Sequence, residues 1–138
     1  MLVYIRLILL MPHLSKHIMQ SSLIIKLSKE QLDSLADNTI DTAAVLTEVI
    51  TAKAEQIGYM LQEYHPGEKA SQVTITEGSL QVKDAESAVL QVRYVIEQFS
   101  SCIIIDSVGN EKMNIIADID LEKEELNLKG EFWPSLND

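Results

Sequence analysis

Cysteine is almost missing from this chain. Cys102 stands alone, so no internal disulfide is possible. The lone thiol sits in a Ser-Cys-Ile-Ile-Ile run and reads as a small buried hydrophobe. This usage suits a reducing compartment, and the expected location is cytoplasmic. Cations are also scarce: 11 Lys and Arg stand against 21 Asp and Glu. Residues 1–27 carry Arg6, Lys16 and Lys26 and no acid, so +3 there leaves −13 on the rest of a chain whose total is −10. An acidic body repels phosphate backbones, which disfavours nucleic acid as a partner. It favours a partner with a basic patch.

Long apolar runs are lacking too. Met1–Met11 is apolar apart from Arg6, but it is too short to span a bilayer. It lacks the basic start and the small-residue cleavage pattern of a signal peptide. Catalytic signatures are missing as well. There is no P-loop, no G-x-G-x-x-G, no G-x-S-x-G and no paired-cysteine motif. No acid stands two residues before a lysine, so the D/E-x-K arrangement of many nucleases is absent. No cofactor is expected, and an enzyme is disfavoured. With 138 residues the chain suits one domain, which at this size buries about two-thirds of its unfolded surface without staples.

What is present is organised around Ser28–Tyr64. Ser28-Lys29-Glu30-Gln31 is a capping box. An apolar face follows at Leu32, Leu35, Thr39, Ala43, Leu46, Ile50, Ala54, Ile57, Leu61 and Tyr64, all at helical spacing. The expectation is one long amphipathic helix. Asp37-Asn38-Thr39 offers a bend, because short polar side chains compete for backbone groups. Gly58 weakens the interior. His65-Pro66-Gly67 stops the helix. Residues 1–27 read as an N-terminal extension, with Met11 and Met19 as alternative starts and Ser22–Leu27 as a short strand. Residues 28–138 read as the single domain.

After the helix, Gln72–Thr76 and Ser79–Lys83 each alternate around Glu77-Gly78, which predicts a hairpin with Val73, Ile75, Leu80 and Val82 facing the core. Glu77 is an unfavoured first residue for the tight type I′ turn. Asp84–Phe99 fits either element. A cap at Asp84 and a stripe of Ala85, Ala88, Val89, Val92, Val95, Ile96 and Phe99 favour a helix. The β-branched and aromatic content supports a strand. Cys102–Asp106 is a buried run and Val108-Gly109-Asn110 a turn. Lys112–Leu121 reads as a strand with Ile115, Ala117, Ile119 and Leu121 inward. Leu126, Leu128, Gly130 and Phe132 face inward in the last strand. The fold expectation is α+β: a long N-terminal helix on a roughly five-stranded antiparallel sheet with a second helix inserted, in the order α-β-β-α-β-β-β.

Candidate chemistry is thin. His13 and His17 share a helical spacing with no third ligand nearby. Cys102 and His65 are a conceivable nucleophile pair that nothing in the sequence places together. Asp118, Asp120 and Glu122 form a carboxylate row on the outer face of a strand. Such a row suits a hard cation, though it is more often a solvated face. Phe132-Trp133-Pro134 is the aromatic cluster, with Trp133 either a lid on the core or a partner anchor. The expected function is a small acidic protein-binding or regulatory module, inhibitor- or chaperone-like. It would use Asp118, Asp120, Glu122 and Trp133 on a basic or apolar patch of another protein, with a homodimer as a further possibility. The alternative is a pocket protein or enzyme that binds a small molecule between sheet and helix. An open acidic surface favours the first, a deep cavity with convergent polar groups the second.

Overall fold

The computed structural model describes residues 18–36, 41–98 and 107–134. Met1–Met11, His13, His17, Asp37-Asn38-Thr39, Phe99 and Cys102–Asp106 lie outside the described residues.

The architecture is α+β, with three described helices and an antiparallel sheet. Strand β1 (Ile18–Met19) and β2 (Ser22–Lys26) precede α1 (Lys29–Ala36), α2 (Thr42–Ala52) and α3 (Ala54–Gln62). Then come β3 (Glu68–Ile75), β4 (Gln81–Asp84), β5 (Ser87–Gln98), β6 (Ser107–Asp120), β7 (Glu125–Lys129) and β8 (Trp133–Pro134). The main sheet runs β2-β7-β6-β5-β3, with β4 also paired to β5. Strands β1 and β8 form a separate two-stranded ribbon.

The expected single long helix is three helices. The capping box does open α1: Gln31 N donates to Ser28 Oγ at 3.1 Å, and Ser28 N donates to Gln31 Oε1 at 2.8 Å. A second cap then restarts the chain, because Asp41 accepts from Ala43 N at 3.0 Å. A further break falls at Lys53, whose φ of −109° and ψ of 23° leave helical geometry. It follows the run Val49-Ile50-Thr51, whose β-branched side chains lose rotamer freedom in a helix. The apolar spacing survives both breaks. Leu46, Val49, Ile50, Ile57, Met60, Leu61 and Tyr64 are all buried in the core. Gly58 is buried inside α3.

Asp84–Gln98, the described part of the Asp84–Phe99 stretch expected as a helix, is the end of β4, a tight turn and β5. Ala88, Leu90, Val92, Tyr94 and Ile96 alternate into the core. Val89 and Val95, which belong to the helical stripe in sequence, lie half-buried on the outer face. Pairing decides the element: β5 is hydrogen-bonded to β6 along its whole length and to β3 and β4 on its other side. Asp84 accepts from Glu86 N within the turn and caps no helix.

The expected hairpin between Gln72–Thr76 and Ser79–Lys83 does not form. Both segments pair with β5, end to end and in the same direction. Gly78 has φ +77° and Glu77 does not share it, while Ser79 N donates to Thr76 O at 3.1 Å. One positive φ at the second central position is a type II turn, which splays strands that a type I′ turn would pair. The chain therefore bulges and continues. Ser79 Oγ fills the gap, accepting from Gln91 N at 3.1 Å and donating to Gln91 O at 3.2 Å. Val82 is exposed as a result.

Val108-Gly109-Asn110 is part of β6 and not a turn. Ile115, Ala117 and Ile119 are buried as expected, but Leu121 has left the strand and is 43% exposed. Leu126, Leu128 and Gly130 point inward. Phe132 does not, at 71% exposed. Its displacement has a register cause. Between the pairs Ser22↔Lys129 and Met19↔Trp133, two residues of the N-terminal strand face three of the C-terminal one. The extra residue is a bulge, and it flips the alternation so that Trp133 packs on the core and Phe132 faces out.

Candidate functional site

Two turns far apart in sequence meet at one end of the sheet. Ser87 at the start of β5 pairs with Asp118 near the end of β6, and Ile119 N donates to Glu86 O at 2.7 Å. The β4–β5 turn therefore lies beside the β6–β7 turn. Asp84, Glu86, Asp118, Asp120 and Glu122 surround one open concavity of about 530 Å³. The structure thus brings together the three carboxylates singled out in sequence. It adds Asp84 and Glu86, which sequence reasoning missed because their segment read as the start of a helix.

Local bonds keep these carboxylates in place. The backbone N–H of Glu86 and then the Ser87 hydroxyl hold the Asp84 carboxyl below its usual range. Asp120 Oδ1 accepts from Lys123 N at 3.0 Å, which closes the turn after β6. Asp118 pairs with Lys129 Nζ at 3.1 Å across the β6–β7 ladder. Glu122 is exposed in the turn. Among the described residues no group of three His, Cys, Asp or Glu side chains is placed to hold a metal ion.

Trp133 is elsewhere. It stacks edge-on against Tyr64 with ring centroids 5.0 Å apart and against His65 at 5.4 Å. Its Nε1 donates to Glu131 Oε1 at 2.8 Å, while Asn114 N donates to Glu131 Oε2 at 2.7 Å. From Asn114 to Asp120 strand β6 covers roughly 20 Å at about 3.3 Å per residue. Trp133 and the carboxylate row therefore do not form one site.

The corner around Trp133 is a polar and aromatic latch. Tyr64 OH accepts from Ser21 N at 2.9 Å and donates to Glu131 O at 2.6 Å. Ser21 Oγ donates to Glu63. His65 Nε2 lies 2.8 Å from Tyr94 OH. His65 follows α3 where the helix stops, and its ring is inserted between Tyr94 and Trp133. Ser21 is thus bonded to a carboxylate and His65 to a phenol, which is not a nucleophile–base arrangement. The latch ties the end of α3 to the β2 entry and the bulge before β8.

Burial, with help from nearby Glu111 and Glu131, pushes the Tyr94 phenol well above its ordinary range. Burial also raises the Tyr64 phenol. The folded state therefore holds these protons after the unfolded chain has lost them near pH ~10. Stability is full below that pH and is lost as pH rises through the higher folded values. The urea midpoint should fall steadily above pH ~10, and Tyr94→Phe should flatten that fall. An unchanged slope in Tyr94→Phe would place the alkaline transition elsewhere.

A second open groove, of about 490 Å³, crosses the outer face of the sheet. Val89, Gln91, Asn114, Ile116 and Phe132 line it. Ile116 is 46% exposed, and no described helix covers this side of β5 and β6.

No described helix is long and apolar enough to cross a membrane. Comparison of the chain with protein-family models, curated proteins and solved structures found no match.

Proposed function

We propose that the protein is a small protein-binding module. Its contact surface is the outer face of the sheet, which no described helix covers, and its acidic end engages a cationic patch on the partner. One observation carries this reading: two distant turns converge so that five carboxylates surround a single concavity. Among the described residues, one of the five, Asp118, is matched by a lysine. Such clustering repels itself and is relieved when a cationic surface docks. Trp133 serves the surface indirectly. Seated on Tyr64 and His65, it fixes the bulge that turns Phe132 outward beside Ile116. Both concavities are open surface features, which favours a protein partner over a small molecule held in an enclosed cavity. The lone cysteine supports a reducing, cytoplasmic setting.

Asp120 and Glu122 are the positions to test, because Asp118 is already paired with Lys129. Immobilised protein should capture a partner from host lysate at low salt and lose it at high salt. Asp120→Lys with Glu122→Lys should slow association several-fold while circular dichroism stays unchanged, because charge complementarity acts mainly on the on-rate. Capture that withstands both treatments would reduce the acidic end to a solvated surface. A co-purifying small molecule in place of a protein would favour the pocket reading.

A further inference from the structure

The outer face of the sheet is electrically two-ended. Arg93 and Lys112 are direct cross-strand partners at one end. Like charges in that position destabilise a sheet. Among the described residues neither has a carboxylate within 4.0 Å. Roughly 20 Å along the strands, at about 3.3 Å per residue, the same face ends in the acidic concavity. Between the two ends lies the apolar pair Val89↔Ile116, with Lys129 next to it on β7, bonded to Asp118.

The spacing is antisymmetric about that pair. On β6 the outward residues run Lys112, Asn114, Ile116, Asp118, Asp120. Lys112 and Asp120 stand four residues either side of Ile116. On β5 Arg93 stands four residues after Val89, and the Asp84-Ala85-Glu86 turn is centred four residues before it. From this we infer that the outer face binds a second copy of the chain, face to face, about a two-fold axis that crosses the strands at Val89 and Ile116. That axis lays Lys112 of one copy on Asp120 of the other, and Arg93 on the Asp84/Glu86 turn. Ile116 meets Ile116, as self-complementary two-fold contacts require. The inference rests on reading the outer face as a binding surface and names its occupant.

The size fits. Strands β2 to β7 hold 5, 8, 4, 12, 14 and 5 residues, and at about 3.3 Å per residue and about 4.8 Å between strands they cover roughly 760 Å². That area is close to one side of a standard-size interface. Sheets packed this way align within about 30°. The charge of −10 on each copy opposes approach at long range, but it is screened beyond about 8 Å at physiological salt, so the contact pattern decides.

The test is a charge swap read by sedimentation equilibrium. Wild-type protein should sediment as a dimer of the 15.5 kDa chain. Arg93→Glu with Lys112→Glu makes both ends acidic. Asp120→Lys with Glu122→Lys places cations opposite Lys112 of the other copy and leaves Asp84 and Glu86 unchanged opposite Arg93. Each double variant alone should dimerise at least about tenfold more weakly, because like charges then face each other. Mixed one to one, they should form a heterodimer at least about tenfold tighter than either homodimer. Arg93, Lys112 and Glu122 are exposed and Asp120 gives up one bond, to Lys123 N, so circular dichroism should match wild type outside the turn after β6. Phe132→Asp, on a side chain that already faces solvent, should also weaken the dimer. A monomeric wild type that still captures a cationic host protein removes the second copy and leaves the binding-module reading standing. A monomer that captures nothing removes both. A wild-type dimer whose variants dimerise normally and gain nothing on mixing removes this face as the interface.

Discussion

Leu46→Asp is expected to leave the protein unfolded at 25 °C. Leu46 is 0% exposed in α2 and belongs to the cluster that joins the helices to the inner face of the sheet. An aspartate there meets no cation among the buried residues, since that cluster contains no charged side chain. A carboxylate in such a place neutralises by shifting its pKa by about 3–5 units, which at pH 7 costs about 4 kcal/mol; the neutral carboxyl, left without a hydrogen-bond partner, costs about 1–3 kcal/mol more. Loss of the leucine's own burial adds about 1.5–3 kcal/mol. Domains of this size have about 5–15 kcal/mol in total. The sum therefore reaches the whole stability or most of it. Far-UV circular dichroism and a urea titration check the result. Glu48→Ala on the exposed side of the same helix is the control, expected within about 0.5 kcal/mol of wild type. A wild-type melt for Leu46→Asp would remove α2 from the core.

The helical stripe and the C-terminal strands were legible because their side chains keep strict periods. Leu46, Ile50, Ile57 and Leu61 are inward as the spacing predicts, despite two breaks in the backbone between Ser28 and Tyr64. The breaks were less legible, because a stripe continues in phase across a cap or a distorted turn. Strand β5 was misread for a reason in its composition. Val89 and Val95 are apolar on a face that is only half-covered, so they complete a helical stripe by coincidence. The two ladders that fix β5 come from residues distant in sequence, which no local pattern reports. The Glu77-Gly78 signal was a true turn with the wrong consequence, since turn type and not turn presence decides whether strands fold back. Phe132 and Trp133 exchanged faces because one bulge shifts every later side chain by a position. The site was half legible for related reasons. Asp118, Asp120 and Glu122 share a strand end and were visible as a row. Asp84 and Glu86 reach them only through the β5–β6 pairing. The pairing of Arg93 with Lys112 was hidden by the same misread strand.

Gly130→Ala is the second substitution expected to act strongly, and it does so through Tyr64. Gly130 is buried just past the end of β7, where its N–H donates to Ser21 O at 2.9 Å. A methyl group there would overlap the Tyr64 hydroxyl and come within 3.1 Å of Cζ and 3.2 Å of Cε2. The ring has little room to retreat, since Trp133 packs edge-on against it at 5.0 Å. The chain must displace the ring or the bulge, and either move breaks the bonds from Tyr64 to Ser21 N and Glu131 O. Overpacking costs about 1–3 kcal/mol. A stranded buried N–H adds about 1–3 kcal/mol. A loss of roughly 2–6 kcal/mol is expected from the two together. Tyr64→Phe alone should lose about 1–3 kcal/mol, because Ser21 N is left without its acceptor. The two changes share one cause, so they should not add. Without the hydroxyl, the new methyl group keeps only the milder contacts with the ring. The double variant should be less destabilised than the sum by about 1 kcal/mol or more. Urea titration of the four proteins in the cycle measures that difference. Trp133, the single tryptophan, gives an independent reading, since its emission should shift in Gly130→Ala if the ring it leans on has moved. Additive losses, with Trp133 emission unchanged in Gly130→Ala, would mean that Tyr64 is not seated against this glycine and that the latch is held by other contacts.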